Sequence, residues 1–251
     1  MNSRAENPFA DLTFESFRRL AGDPGLSKYG RIGFPDSYRE GHEEAIFADL
    51  RAKLPRLEEP GRTVLDIGPG CSDLPAMLIE LCRQRSHHLL LADSDEMLAH
   101  LPDHEFVTKV AGRFPDTAAA LTAAVGGVDV IICYSVLQYA FADGHHLAFF
   151  DAALGLLAPG GEMLIGDIPN ISKRQRFFAS AAGQAFHRRF TGQDEVPSEA
   201  MTETQEGKIN DDIVLALLAR ARAAGCDAYL VPQGASLPMA NRREDVIIRK
   251  P

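Results

Sequence analysis

Residues 63–74, Thr-Val-Leu-Asp-Ile-Gly-Pro-Gly-Cys-Ser-Asp-Leu, run a short apolar segment into a glycine turn and then into a helical pattern. An apolar run this short, bounded by a turn, is the signature of a strand buried on both faces, and such strands belong to parallel sheets covered by helices. Gly68 and Gly70 remove side chains where the backbone turns sharply or where a ligand approaches it closely. A turn of this kind has two readings, a ligand cradle or a plain strand–helix junction. The rest of the chain has to decide between them.

The pattern that follows is regular. Apolar runs at 88–93, 105–110, 128–135 and 162–168 alternate with helical segments at 74–85, 95–100, 116–125 and 145–157. Strands of four to eight residues separated by helices imply a parallel sheet wound on both sides. The segment 211–225 reads as a strong helix with Asn210 or Asp211 as its N-cap and Gly225 just past its end. Two further strands, 227–232 and 244–250, have no helix between them, so the last is expected to run antiparallel beside the fifth and sixth. The expectation is an α/β fold, a doubly wound and mostly parallel sheet of seven strands. Residues 1–59 form an N-terminal helical cap, with a helix over 38–54, and residues 60–251 the main domain. Residues 169–210 form an insert after strand five, too long for a plain loop and therefore helical.

The ordered set of motifs resembles the class I S-adenosylmethionine-dependent methyltransferases over residues 62–168. Asp66, Gly68, Pro69 and Gly70 match that family's first motif, an acid followed by GxGxG, with Ser72 in place of the third glycine. Asp93, followed by Ser94, matches the acid after strand two that holds the ribose hydroxyls; Asp95 competes for that role. Gly112-Arg113-Phe114 lies where the family carries an acid for the adenine amine, so with Arg113 there, backbone groups of this stretch take the adenine. Tyr134 and Ser135 match the end of strand four beside the sulfonium, and LLAPGGEMLIGDI matches the turn into strand five. The resemblance implies S-adenosylmethionine as cofactor. Two other readings remain open. One is a catalytically inactive methyltransferase-like binding or scaffold subunit. The other is an NAD(P)-binding Rossmann oxidoreductase, which the GxGxxG fingerprint disfavours because Asp73 stands at its third glycine.

Composition narrows the acceptor. A net charge of −9 in 251 residues argues against a broad nucleic-acid surface, which needs basic patches against phosphate, and points to a small molecule. Four cysteines without ligand or disulfide spacing suit a reducing cytoplasm. No apolar run reads as a leader or a membrane span. Strand four ends without a carboxylate, so no metal site is expected.

On the acceptor side, Asp167 after strand five is the first choice of general base and His187 the second. His145 and His146 follow Asp143-Gly144 and read as helix-start or surface residues. The insert is basic and aromatic within an acidic chain: Asn170, Arg174 and Arg188 are candidate contacts for an anionic acceptor. Phe177, Phe178 and Phe186 fit the apolar face of an amphipathic helix there. Tyr29, Arg31 and Tyr38 of the N-terminal segment are expected to close over the same pocket, opposite the insert.

Overall fold

Along each strand successive side chains point to opposite faces of a sheet, and both faces of the central strands are buried in this chain. The computed structural model describes residues 12–193 and 207–251. Seven strands, β1 (Thr63–Ile67), β2 (His88–Asp93), β3 (Val107–Ala111), β4 (Val128–Tyr134), β5 (Leu157–Pro169), β6 (Asp227–Pro232) and β7 (Arg243–Arg249), form one sheet. Their order is β3-β2-β1-β4-β5-β7-β6. The first five strands are parallel, with β1 directly beside β4 through Val64↔Val130 and Leu65↔Ile131. β7 inserts between β5 and β6 and is antiparallel to both.

Leu65, Ile67, Ile131, Cys133, Met163, Ile165, Val246 and Ile248 face one core. It is shared with α6 (Ala118–Val125), α8 (His146–Leu156) and α11 (Asp211–Ala223). The residues between them, Val64, Val130, Ile132, Leu164 and Ile247, face the other core, covered by α3 (Glu43–Lys53) and α4 (Asp73–Arg85). Ile46, Leu50, Leu54 and Leu57 are buried in that second core. The helical layer of the sheet therefore begins at α3, inside the segment expected to be cap. The helix expected over 38–54 starts only at Glu43, because a 3-10 turn at Asp36–Tyr38 and Gly41 at φ 78° interrupt it. What covers the strand ends is the stretch before it, with α1 (Phe14–Ala21) and α2 (Lys28–Arg31). Here α1 reaches α5 (Asp95–Leu98) through the Arg18–Glu96 ion pair at 2.7 Å.

Beyond β4 lies α7 (Leu137–Ala142), a helix too short to leave a periodic pattern. The insert is helical as expected: α9 (Ile171–Ala179) is capped by Asn170 and α10 (Ala181–Thr191) by Ser180. Residues 1–11 of the expected cap and 194–206 of the expected insert lie outside the described residues. Asn210, not Asp211, caps α11 by accepting from the Ile213 amide, and Gly225 beyond it takes φ 84°. No helix among the described residues is long and apolar enough to cross a membrane.

Lys53, at the end of α3, reaches the fully buried Asp245 of β7 at 2.7 Å and ties the second helical layer to the antiparallel strand. Removing one partner of a buried pair strands the other charge, at a cost of about 3–5 kcal/mol. Lys53→Ala is expected to lower unfolding stability by that order in urea denaturation, whereas Ala substitution of the exposed Arg83 should change it by under about 1 kcal/mol.

Candidate functional site

The carboxyl ends of β1, β2 and β4 open into a cleft of about 1020 Å³, its mouth included. Its floor is the turn after β1. Gly68 and Gly70 adopt φ 72° and 67°, and each is packed against from one side. A Cβ on Gly68 would come within 2.6 Å of Val136, and one on Gly70 within 2.7 Å of Ile32. Both glycines are therefore required by backbone conformation and by close approach. Ser72 stands at the N-cap of α4 without a side-chain cap bond; Glu43 of α3 accepts from the Asp73 amide instead, at 3.0 Å.

Asp93 ends β2 and lines this cleft. One carboxylate oxygen accepts from the Gly70 amide at 3.2 Å and the other from the Ser94 amide at 2.7 Å, so the side chain braces the glycine turn. Burial raises its pKa to about 6 in spite of these two bonds. Ser94 is buried as the N-cap of α5, its hydroxyl accepting from Met97. Asp95 is exposed at the start of that helix. Of the three, only Asp93 faces the cleft.

Asp66 points the other way. Its neighbours Leu65 and Ile67 belong to the first core, so strand alternation sends Asp66 to the opposite face. There it lines a small cavity behind the glycine turn with Phe47, Leu50, Leu78 and Ile132. Burial, with a smaller contribution from the charge of Asp93, raises its pKa to about 8.

Gly112, Arg113 and Phe114 border the cleft beyond β3. Arg113 donates to Asp143, at the end of α7, at 2.8 Å. The cleft thus carries a carboxylate at this end, supplied by α7 and already paired. Phe114 meets Phe149 edge-on at 4.9 Å, and the exposed His145 stands at the same rim.

At the other end, the strand termini are unusual. Ser135, just past β4, and Asp167, at the irregularity in β5 where its register against β7 shifts, are not glycines, yet they adopt φ 61° and 59°. The Ser135 hydroxyl donates to the Asp167 carboxylate, and Arg39 donates to Ser135 at 2.5 Å while lying 3.6 Å from Asp167. The Arg39 guanidinium stacks over Phe34 at 4.4 Å and lies over Tyr134 at 5.5 Å. Arg243 approaches Asp167 from the far side, 3.7 Å from its carboxylate and donating to its carbonyl at 3.0 Å. Asp167 is only 3 % exposed and does not line the cleft. Tyr134, Ser135 and Arg39 do.

His187, on α10, packs edge-on to Phe178 at 6.3 Å and does not line the cleft either. In the N-terminal segment, Tyr29 is buried with its hydroxyl donating to Glu43, Arg31 donates to the Asp23 carbonyl, and Tyr38 is exposed. The segment does close the cleft, but through Phe14, Phe17, Ile32, Phe34 and Arg39. Its partner across the mouth is α7, where Tyr139 meets Phe17 edge-on at 4.7 Å. No described residue of the insert lines this cleft. Asn170 and Arg174 line a second one on the opposite side of α7, and Arg188 is exposed and lines neither.

No protein-family model matches the sequence, and no curated protein matches it. Solved structures do match its fold. The N-methyltransferase NodS from Bradyrhizobium japonicum WM9, in complex with S-adenosyl-L-homocysteine, superposes with a TM-score of 0.53 at 15% identity, over 96% of this chain and 100% of that one. The plantazolicin methyltransferase BpumL, in complex with SAH, gives 0.57 at 13% identity over 94% and 96%. The CurJ carbon methyltransferase gives 0.51 at 15% identity, over 85% of this chain and 56% of that one. The chain has the class I methyltransferase fold, and the expected doubly wound sheet is the one observed.

Because folding raises the Asp66 pKa above its unfolded value, the folded state binds the proton more tightly, and stability falls as pH rises from about 4 to about 8. Asp66→Asn removes that loss. Its melting temperature is expected to exceed that of the parent at pH 8, with a smaller difference at pH 5; an equal difference at both would assign Asp66 an ionised state throughout.

Proposed function

We propose that this chain is an S-adenosylmethionine-dependent methyltransferase acting on a small, anionic acceptor. The observation that carries the reading is the joining of Gly68-Pro69-Gly70 to Asp93 by the Gly70 amide, at the carboxyl ends of parallel strands. Ligands of open parallel sheets bind outside those ends. The glycine turn lets the backbone approach a ligand, and a half-buried carboxylate can accept from two vicinal hydroxyls. Apolar walls from Ile67, Met97, Phe114 and Phe149 suit a flat heterocycle.

The cofactor supplies an electrophilic methyl group on a sulfonium. Transfer of that group is an in-line displacement, which asks the protein chiefly for alignment and exclusion of water. Phe14, Phe17 and Phe34 of the N-terminal segment, with Tyr139 of α7, provide an apolar cover. Burial raises the pKa of both Tyr134 and Tyr139, so each phenol remains a hydrogen-bond donor at neutral pH. Asp167 acts in this scheme by holding Ser135 and Arg39 in position, and not as the base. The four free cysteines accord with a cytoplasmic setting.

A binding or scaffold subunit is favoured by one observation, that neither Asp167 nor His187 lines the cleft. Such a protein would bind the cofactor without consuming it in the presence of any acceptor.

Calorimetric titration with S-adenosylhomocysteine tests the reading. Asp93→Ala is expected to cost about 1–3 kcal/mol of binding, the scale of hydrogen bonds to a charged group. In the parent, affinity should weaken as pH falls through about 6, where Asp93 takes up its proton and loses acceptor capacity. Asp93→Asn should flatten that dependence. Undiminished affinity in a folded Asp93→Ala protein would refute the assignment.

A further inference from the structure

A guanidinium carries five N–H donors in a rigid plane, and a buried one has to find them partners. Arg39 is 5 % exposed and lines the first cleft. Its charge is met by Asp167, 3.6 Å away, but most of its donors are not matched. Nη2 donates to Ser135, whereas Nε and Nη1 have no hydrogen-bond partner among the described residues. Neither of these two nitrogens is sealed from solvent, so both are left to whatever fills the cleft. Because Nη2 carries two N–H groups, one of the two-pronged edges of the guanidinium stays whole. The plane itself is fixed, with the Phe34 ring against it at 4.4 Å, the Tyr134 ring at 5.5 Å, and Ser135 and Asp167 along one edge. A fork fixed before its ligand arrives loses little freedom on binding.

The walls beside this fork are aromatic. Phe17, Phe34 and Tyr139 line the cleft with Arg39, and Phe17 meets Tyr139 edge-on at 4.7 Å. Gly33, at φ 78°, lets Phe17 come against the turn before Phe34, since a Cβ there would lie 2.9 Å from the Phe17 ring. This group stands apart from the residues assigned to the nucleoside of the cofactor. Asp93 and Arg113 lie at the ends of β2 and β3, whereas Arg39 reaches Ser135 just past β4, and β1 separates the two sides in the sheet. The aliphatic amino-acid end of a cofactor makes little use of ring walls. A flat ring fills them, edge or face against each neighbour.

We propose that the methyl acceptor is a ring-bearing carboxylate, its carboxylate received by the free edge of the Arg39 guanidinium and its ring lying among Phe17, Phe34 and Tyr139. The role as acceptor rests on the methyltransferase reading; the carboxylate subsite itself does not. A guanidinium edge matches a carboxylate with two parallel N–H···O bonds, which fixes the orientation of the ligand as well as its affinity. The aromatic cover keeps water from those bonds and so strengthens them.

The test is calorimetric titration of the full chain with benzoate, benzamide and butyrate, alone and with S-adenosylhomocysteine at saturation. Benzoate is expected to bind the complex at a single site. Benzamide, which keeps the ring and loses the charge, should bind about tenfold more weakly or worse. Butyrate, which keeps the carboxylate and loses the ring, should also bind more weakly than benzoate. Arg39→Gln should weaken benzoate binding by about tenfold or more, with a melting curve to show that it folds; if it does not fold, the benzamide comparison on the parent carries the test. Methylthioadenosine, which lacks the amino-acid end of the cofactor, separates the two carboxylates. The ratio of its affinity to that of S-adenosylhomocysteine should be the same in Arg39→Gln as in the parent. The proposal is overturned if benzoate does not bind the complex, if benzamide binds as tightly, or if benzoate binding is unaltered in Arg39→Gln. A loss in Arg39→Gln confined to S-adenosylhomocysteine also overturns it, and assigns Arg39 to the cofactor. Benzoate binding that depends on Arg39, without any binding of S-adenosylhomocysteine, would uphold the subsite and refute the methyltransferase reading.

Discussion

The carboxylate of Asp245 is fully buried on β7, the strand that runs against the others, and the strand ends around the clefts are organised from it. It receives Lys53 from α3, the Gln233 amide from beyond β6 and the Asp167 backbone amide from the register shift within β5. The last of these holds Asp167 in a left-handed conformation, which costs a non-glycine residue about 1–3 kcal/mol. Turned this way, Asp167 directs its carboxylate at Ser135, itself left-handed, and both are held by Arg39. A buried charge with this many donors is held in one geometry, because breaking any contact leaves an unpaired polar group in a dry place. The N-terminal segment is attached to the sheet through that geometry.

What could be read from the sequence follows from how local the cause was. Strand–helix alternation and the glycine turn are consequences of residues within a few positions of one another, and both are present where the sequence places them, with Asp93 at the end of β2 facing the cleft. The backwards orientation of Asp66 was also available, since Leu65 and Ile67 claim the first core and period-two alternation assigns Asp66 to the other face. By contrast, α7 is six residues long and follows a strand without a turn residue, because Ser135 makes the turn in a conformation it rarely adopts. Nothing local marks it. Arg39 lay in a segment singled out for Tyr29, Arg31 and Tyr38, and only the meeting of that segment with the strand ends selects it. Asp167 looked like an exposed base at a strand end because its partners, Arg39, Arg243 and Asp245, are distant in sequence.

The same division separates the two clefts. The floor of the first is mostly backbone and apolar side chains, so its shape is set by the fold, which structures of proteins only 13–15% identical share. Its cover, from Phe14 to Arg39 and from α7, is made of side chains. The second cleft is built almost wholly from such side chains, contributed by α7, α9 and the approach to β7. The fold serves an N-methyltransferase and a carbon methyltransferase alike.

Net charge misleads for a related reason. Charges on outer faces are screened within about 10 Å of salt solution. Inside a cleft with low-dielectric walls, each charge counts for more than it does on an outer face. Arg242 and Arg243 are adjacent in sequence, yet β7 begins between their environments: Arg243 turns inward to Asp167 while Arg242 stays with Arg174. The inward member is neutralised and fixes structure. Its neighbour makes no hydrogen bond or ion pair with the described residues, so two arginines adjacent in sequence differ in what they do for the fold.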